Sequence, residues 1–129
     1  MRYLSFLASV GVLAACGGGS GSAAYEQAVD LANAKEAEAR SLAADNPCNQ
    51  ASHCGTVAFL TPTGDCAALS YKPYSLVSST AAAASAAASQ QQELASRART
   101  LAPPSGIACP AMVIAPPPLT CNASKCQAQ

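Results

Sequence analysis

The sequence predicts a small, disulfide-stapled α+β domain with an N-terminal helix, an antiparallel hairpin, a long alanine-rich helix and one or two short C-terminal strands. Three observations lead to this class. Two long stretches, residues 23–45 and 79–102, are rich in alanine and other good helix formers. Two strand-like runs between them flank a proline- and glycine-containing turn. Several cysteines beyond residue 46 are able to cross-link these elements.

The composition limits both the size of the core and the range of functions. The 129 residues are 50% apolar, but only 5% are aromatic and 11% charged. Alanine supplies much of the apolar half and buries little surface, so the core should be poor. Seven basic and seven acidic side chains cancel. A neutral chain lacks the basic surface that nucleic-acid binding requires, so nucleic acid is not expected as a partner.

The N-terminus has the pattern of a lipoprotein leader. An apolar run of about ten residues, 4–13, has the length of a signal-peptide core and is too short to span a bilayer. Ala14 and Ala15 follow, and Cys16 comes next. Leu-Ala-Ala-Cys at this place closely resembles the lipobox of bacterial lipoproteins. The alternative is an ordinary secretory leader followed by a chance cysteine.

The lipobox resemblance implies an address and an anchor. Residues 1–15 would be removed as a signal peptide, and Cys16 would become the lipidated first residue of the mature chain. Acyl chains attach a protein to a membrane without spanning it. Gly17, rather than Asp, follows the cysteine. By resemblance to Gram-negative lipoproteins, this favours the outer membrane, facing the periplasm. Residues 16–22 would form the lipidated end and a flexible tether.

The remaining cysteines are predicted to form disulfides, because an even set in an exported chain implies a covalent framework. The candidates are Cys48, Cys54, Cys66, Cys109, Cys121 and Cys126. Six cysteines allow 15 connectivities. Eleven residues separate Cys54 from Cys66 and also Cys109 from Cys121, so either pair could be a local clasp. Cross-links between the N-terminal and C-terminal clusters fit equally well.

Metal and redox sites are not predicted. Zinc sites usually contain closely spaced pairs such as C-x2-C, whereas the shortest gap here is Cys121-x4-Cys126. No C-x-x-C motif of a redox-active pair is present. The only histidine, His53, is expected to be a surface residue in a turn. No cofactor is therefore expected.

The first helix is predicted over residues 23–45, capped by Ser22 and supported by a Glu36–Arg40 pair four residues apart. Asp45-Asn46-Pro47 should end it. Its thin apolar stripe favours packing on its own domain. The alternative is a helix that docks a partner or self-associates.

The disulfide-stabilised α+β domain is predicted over residues 46–129, beginning with a hairpin. Residues 54–60 have strand composition, residues 61–65 form a turn, and residues 66–72 return as a second strand. Pro73 should close the hairpin.

The second helix is predicted over residues 79–102, with Ser75, Ser78 or Ser79 as its cap. A Glu93–Arg97 pair should support it. Pro103 and Pro104 should stop it. A disordered linker is the alternative for this low-complexity stretch.

The C-terminal segment contains a predicted third strand at residues 111–115 and a stiff triple-proline corner at 116–118. Residues 119–126 should form a last short strand or a pair of loops. The tripeptide Asn122-Ala123-Ser124 matches a glycosylation motif but is interpreted as a turn.

A second resemblance covers residues 48–126. The order of the first three cysteines, the run Tyr-Lys-Pro-Tyr-Ser at 71–75, an alanine-rich helix and two late cysteines is similar to a group of small exported proteobacterial proteins of unknown function. The chain departs from that pattern at His53, where glutamine is usual, and after Cys66, where Gly-Gly-Pro is usual. The resemblance implies a shared disulfide framework and no activity.

No catalytic set is visible. Ser52 and His53 are adjacent, and on a strand adjacent side chains point to opposite faces, so they cannot form a dyad there. Paired carboxylates and phosphate-binding loops are absent from the sequence, and the protein is not expected to be an enzyme. Tyr71, Lys72 and Tyr74 could form a small recognition patch; the alternative is a strand end with half-buried tyrosines.

Two function hypotheses follow. The first is a membrane-anchored envelope lipoprotein with a structural or interaction role, whose envelope partner is unknown. The second is an inhibitor or small-ligand-binding lipoprotein that uses the cysteine-bounded, proline-rich loop at residues 110–120. Such a stiff loop loses little conformational entropy on binding.

Overall fold

A computed structural model describes residues 20–111 and 114–129, and the predicted fold class is confirmed: the protein is α+β, with two helices and two antiparallel hairpins stapled by disulfides. The predicted signal peptide, the predicted lipidation site Cys16 and residues 17–19 of the predicted tether lie outside the described residues. The elements are α1 (Ser20–Leu42), a short 3-10 turn (Ala51–His53), β1 (Cys54–Leu60), β2 (Leu69–Ser75), α2 (Ala81–Leu101), β3 (Leu119–Asn122) and β4 (Lys125–Ala128).

Helix α1 begins and ends about three residues earlier than predicted. Residues 20–22 belong to the helix rather than to the tether, and Ser22 lies inside the first turn instead of at the cap. The predicted Glu36–Arg40 pair is confirmed, with Arg40 Nε 2.7 Å from a carboxylate oxygen of Glu36. Neither helix in the described part of the chain is long and apolar enough to cross a membrane.

The two helices pack on each other through small side chains, which confirms that the first helix packs on its own domain. The alanines facing this contact and the adjoining sheet are buried: Ala28, Ala32, Ala39, Ala43, Ala84, Ala87, Ala88, Ala95 and Ala98. Each buries little apolar surface, so the pairing depends on many close contacts rather than on large anchors.

The cap of α2 differs from the prediction, which named Ser75, Ser78 or Ser79. The cap position is Thr80, whose side chain does not bond its own helix, and Ser75 lies in β2. Thr80 Oγ1 instead donates to the carbonyl of Leu42, at 2.8 Å. This bond fastens the start of α2 to the end of α1. The predicted Glu93–Arg97 ion pair is not formed in the described structure.

Large apolar side chains come mainly from the β1–β2 hairpin. Val57, Phe59 and Tyr74 are buried against the alanines of both helices. Phe59 is the largest fully buried side chain, and the guanidinium of Arg40 lies 4.4 Å from its ring centre. The four elements α1, α2, β1 and β2 therefore form one packed body, called here the helix–hairpin unit.

The first hairpin confirms β1 exactly but places the second strand three residues later than predicted. Pro73 lies inside β2, opposite Thr56, instead of closing the hairpin. The side-chain amide of Gln91 explains why proline is tolerated. It bonds both the N–H (3.0 Å) and the carbonyl (2.7 Å) of Leu60, so these groups point away from β2. The direction of the backbone N–H and carbonyl groups alternates along a strand, so those of Thr56, four residues from Leu60, also point away from the partner strand. The nitrogen of its partner Pro73 then points to the outer edge, and the β1–β2 ladder needs no N–H there.

The C-terminal segment differs from its prediction in one part. The described residues of the expected third strand, Ala111, Ile114 and Ala115, have no regular structure; Met112 and Val113 lie outside the described residues. Residues 119–128 form an antiparallel hairpin, β3–β4, called here the C-terminal hairpin. The predicted turn at 122–124 is confirmed.

Three disulfides join the two cysteine clusters and resolve the open alternatives. Cys48 pairs with Cys121, Cys54 with Cys126, and Cys66 with Cys109. The local clasps are therefore wrong, and every bridge is a long-range cross-link. Two bridges fasten the C-terminal hairpin, one to the connection between α1 and β1 and one to the start of β1. The third fastens the connection after α2 to the loop between β1 and β2.

Candidate functional site

An apolar cleft of about 530 Å³ opens beside the Cys66–Cys109 disulfide. Its floor is the end of the first hairpin, where Leu60 and Leu69 are cross-strand partners. Its walls come from the β1–β2 loop, from α2 and from the connection after α2. The lining residues are Leu60, Cys66, Ala67, Ala68, Leu69, Gln92, Ser96, Pro110 and Ile114.

The loop wall is held both by its own hydrogen bonds and by α2. Within the loop, the N–H of Thr61 donates to the carbonyl of Ala68 at 2.9 Å, and the N–H of Ala68 donates to Thr61 Oγ1 at 3.0 Å. The guanidinium of Arg99 donates to the carbonyls of Thr61, Thr63, Gly64 and Asp65, at 3.2–3.4 Å. Gly64 has a φ of +87°, which glycine adopts without strain. Arg99 thus connects α2 to the turn that leads into the cleft wall.

The opposite wall is held by two contacts. Cys109 is bonded to Cys66, immediately before Pro110. Tyr71 Oη donates to the carbonyl of Ile114, at 2.6 Å. These contacts secure both ends of the wall, and Ile114, which is 44% exposed, presents apolar surface to solvent.

The cleft is suited to binding apolar groups. The lining residues that the structure describes carry no charge. The amide of Gln92 already donates to the carbonyl of Ala58, at 2.9 Å. The hydroxyl of Ser96 is the other polar side-chain group at the lining. An apolar surface with one or two polar groups is the usual character of a ligand site.

An unpaired strand edge runs beside the cleft. In the described structure β2 pairs only with β1. The backbone N–H and carbonyl of Leu60 point away from β2, so those of its cross-strand partner Leu69 point to the outer edge of β2. Because backbone direction alternates along a strand, the N–H and carbonyl of Tyr71, two residues on, also point to this edge. Exposed edges of this kind pair readily with an extended segment of another chain.

The structure separates the predicted recognition patch. Tyr71 lies on one face of β2, whereas Lys72 and Tyr74 lie on the other, and Tyr74 is 8% exposed. His53 is partly exposed and bonds within its own turn. Its Nδ1 accepts from the backbone N–H of Asn49, and its Nε2 lies 3.2 Å from the amide of Gln50.

Of the predicted proline-rich loop, Pro110 and Ile114 reach the cleft. Sequence reasoning missed the residues that complete it, namely Leu60, Leu69 and Gln92, because they come from elements far apart in the chain. The pairing of Cys66 with Cys109 would have indicated where the cleft lies, but cysteine spacing in the sequence did not determine that pairing.

A second feature was also missed. The sulfurs of Cys48, Cys54 and Cys126 lie within 4.8 Å of one another and are buried. The search for short cysteine pairs could not find this cluster, because its members are brought together by the tertiary fold.

Comparison with known proteins adds no relative. No protein-family profile, curated protein or solved structure matches this chain.

Proposed function

We propose that the chain is a membrane-anchored lipoprotein of the cell envelope with a structural or interaction role, held through Cys16 at the outer membrane and facing the periplasm. The observation that carries the interaction role is the apolar cleft beside the unpaired edge of β2. The leader and its lipobox carry the anchoring.

The bounds of α1 limit the length of chain between the proposed anchor and the fold. Helix α1 begins at Ser20, so only residues 17–19 separate it from Cys16. Four residue steps span at most about 14 Å. The tether is therefore shorter than the predicted one, and the N-terminal end of α1 would stand close to the bilayer surface.

The expected partner is an extended segment of another envelope protein that carries an apolar side chain. Its backbone would bond the outward-facing groups of Leu69 and Tyr71 as an added strand. Its apolar side chain would enter the cleft at the same end of β2. Backbone bonds would supply affinity, and the cleft would supply specificity.

Anchoring is tested with Cys16→Ser. The native chain should be recovered in membranes with an acylated N-terminal cysteine, identified by the mass of its N-terminal peptide. The variant should lose the lipid, because serine lacks the thiol that is alkylated. An identical N-terminal mass shift in both forms, or none in either, contradicts the anchor.

The interaction surface is tested by photo-cross-linking in intact envelopes. A photoreactive residue at Ala68, an exposed position at the cleft rim, should capture a discrete partner. The matched control is Ala82, an equally exposed alanine of α2 outside the cleft lining. Adducts of equal yield at both positions, or at neither, argue against this surface.

A small apolar ligand is the second candidate, favoured by the cleft volume. A volume of about 530 Å³ lies within the usual range of roughly 300–1,000 Å³ for ligand sites. Native mass spectrometry of the chain isolated from envelopes should then show a bound small molecule. Ile114→Gln should reduce its occupancy, whereas Ile107→Gln, at an isoleucine that is 57% exposed and outside the lining, should not.

The inhibitor form of this second candidate is tested separately. If the proline-rich loop inhibits a protease, a panel assay with the intact chain should reveal inhibition at micromolar concentration. Inhibition that survives Ile114→Gln would assign the activity to another surface.

A further inference from the structure

Four cysteine sulfurs converge where the C-terminal hairpin meets the start of β1. Those of Cys48, Cys54 and Cys126 lie within 4.8 Å of one another. The fourth, from Cys121, is bonded to the sulfur of Cys48. All four belong to the two bridges between these segments. Among the described residues, no further cysteine belongs to this cluster.

The backbone around these sulfurs is held by bonds that do not involve sulfur. The N–H of Cys48 donates to the carbonyl of Ser124 at 3.1 Å, and the N–H of Cys126 donates to the carbonyl of Asn46 at 3.2 Å. The side-chain amide of Asn46 donates back to the carbonyl of Cys126 at 3.2 Å. Cys121 and Cys126 are also direct partners across the C-terminal hairpin. These bonds hold Cys48, Cys121 and Cys126 near one another independently of the disulfides, and Cys54 follows at the start of β1.

Their spacing is close to that of a tetrahedral thiolate site. Zn–S bonds of about 2.3 Å place neighbouring sulfurs about 3.8 Å apart. The sulfur of Cys48 lies within 4.8 Å of both sulfurs of the Cys54–Cys126 bridge, about 1 Å from this spacing at most on the long side. After reduction, the two sulfurs of each former disulfide would have to move apart to about 3.8 Å. The centre is buried, with Cys48 3% and Cys126 2% exposed, as in closed structural zinc sites.

We propose that this centre has a second state: when both disulfides are reduced, Cys48, Cys54, Cys121 and Cys126 bind one zinc ion as four thiolates. Reduction by two equivalents of a dithiol breaks the two S–S bonds, transfers four electrons and four protons, and leaves two equivalents of oxidised dithiol. Metal binding then releases the four thiol protons and forms four Zn–S bonds. In the reverse direction, thiol–disulfide exchange with two equivalents of the oxidised dithiol takes up the four electrons and four protons, re-forms the two S–S bonds and returns the ion to solution.

The experiment uses the full-length chain in mild detergent with Cys16→Ser, Cys66→Ser and Cys109→Ser, which leaves only the four clustered cysteines. Under anaerobic conditions the chain is reduced, freed of reductant and titrated with Co²⁺, a visible probe of zinc sites. One equivalent should produce the absorption bands of tetrahedral thiolate-bound cobalt, and about four protons should be released per ion. Zinc should then displace the cobalt and protect the four thiols from alkylation.

The matched control adds Cys54→Ser and Cys126→Ser and retains the other two cysteines. It should lose the tetrahedral bands, and its affinity should fall by more than about 100-fold, because half of the ligands are gone. The oxidised four-cysteine chain should bind no cobalt. The titration reports binding whether or not the reduced chain is folded beforehand, because metal can drive folding. Absence of bands, bands unchanged in the control, or full alkylation in zinc overturns the proposal.

Discussion

The helix–hairpin unit and the C-terminal hairpin are stabilised in different ways. The first buries Phe59, Val57, Tyr74 and a layer of alanines between two helices and two strands. In the second, four-residue strands bury only Cys126, and the hairpin is fastened to the rest by two disulfides. A small chain with few large apolar residues can thus complete its fold with covalent links where a core cannot be built.

Loss of Phe59, the largest fully buried side chain among the described residues, should give the largest effect and tests the role of the core in the helix–hairpin unit. Phe59→Ala should lower the free energy of unfolding by about 3–5 kcal/mol, because it leaves a cavity at a fully buried site. Urea denaturation measures the change. Leu101→Ala, at a leucine that is 39% exposed, is the control and should cost far less. Similar costs at both sites would mean that the unit has no specific core.

Removal of one covalent link should affect mainly the other region. Cys54→Ala with Cys126→Ala opens a link that spans 72 residues and should cost about 2–4 kcal/mol. Hydrogen exchange should accelerate over residues 119–128, whereas the amides at the middle of α1 and α2 should stay protected. Equal acceleration in the helices would show that the two regions do not differ in this way.

A polar contact should matter inside the helix–hairpin unit as well. Gln91 is fully buried and satisfies the backbone of Leu60, so Gln91→Leu should cost about 1–3 kcal/mol by leaving buried polar groups unpaired. The neighbouring Gln90 is exposed, and Gln90→Leu should change the unfolding free energy by less than about 0.5 kcal/mol. A reversed order in denaturation experiments would remove the assigned role of Gln91.

The smallest effect is expected at the tip of the C-terminal hairpin. Ala123 and Ser124 have φ values of 48° and 59°, which glycine adopts more easily. Ser124→Gly should therefore raise the melting temperature, corresponding to about 0.5–1 kcal/mol. Ser79→Gly, at an exposed turn residue that does not have positive φ, should give no gain. A higher melting temperature for Ser79→Gly and an unchanged one for Ser124→Gly would contradict backbone strain at Ser124.

Local signals predicted the elements better than their relations. The run Thr-Val-Ala-Phe-Leu placed β1 correctly, and alanine with helix-terminating prolines located both helices to within a few residues. The second strand was misplaced because Pro73 was taken to end the ladder. Whether a proline is tolerated depends on which way its nitrogen points, and that became clear only from the contact of Gln91 with Leu60.

The candidate sites depend on contacts between distant segments. Ile114 and Pro110 belong to a loop that the sequence identified, but the cleft also needs Leu69 and the wall that Arg99 holds. Likewise, cysteine spacing could not decide between clasps and cross-links, because both satisfy the same chain lengths. Such features arise when tertiary packing brings together residues that carry no shared local pattern.

The positions of the paired cysteines along the chain also affect how the disulfides can form during maturation. Each of Cys48, Cys54 and Cys66 pairs with a cysteine 43–73 residues further along. If the chain enters an oxidising compartment N-terminus first, all three thiols emerge before any native partner, and once Cys16 is lipidated their available partners are one another. Early oxidation would then trap a wrong bridge and leave a thiol unmatched. We therefore expect maturation to require delayed oxidation or a disulfide isomerase, which an oxidase alone would not replace.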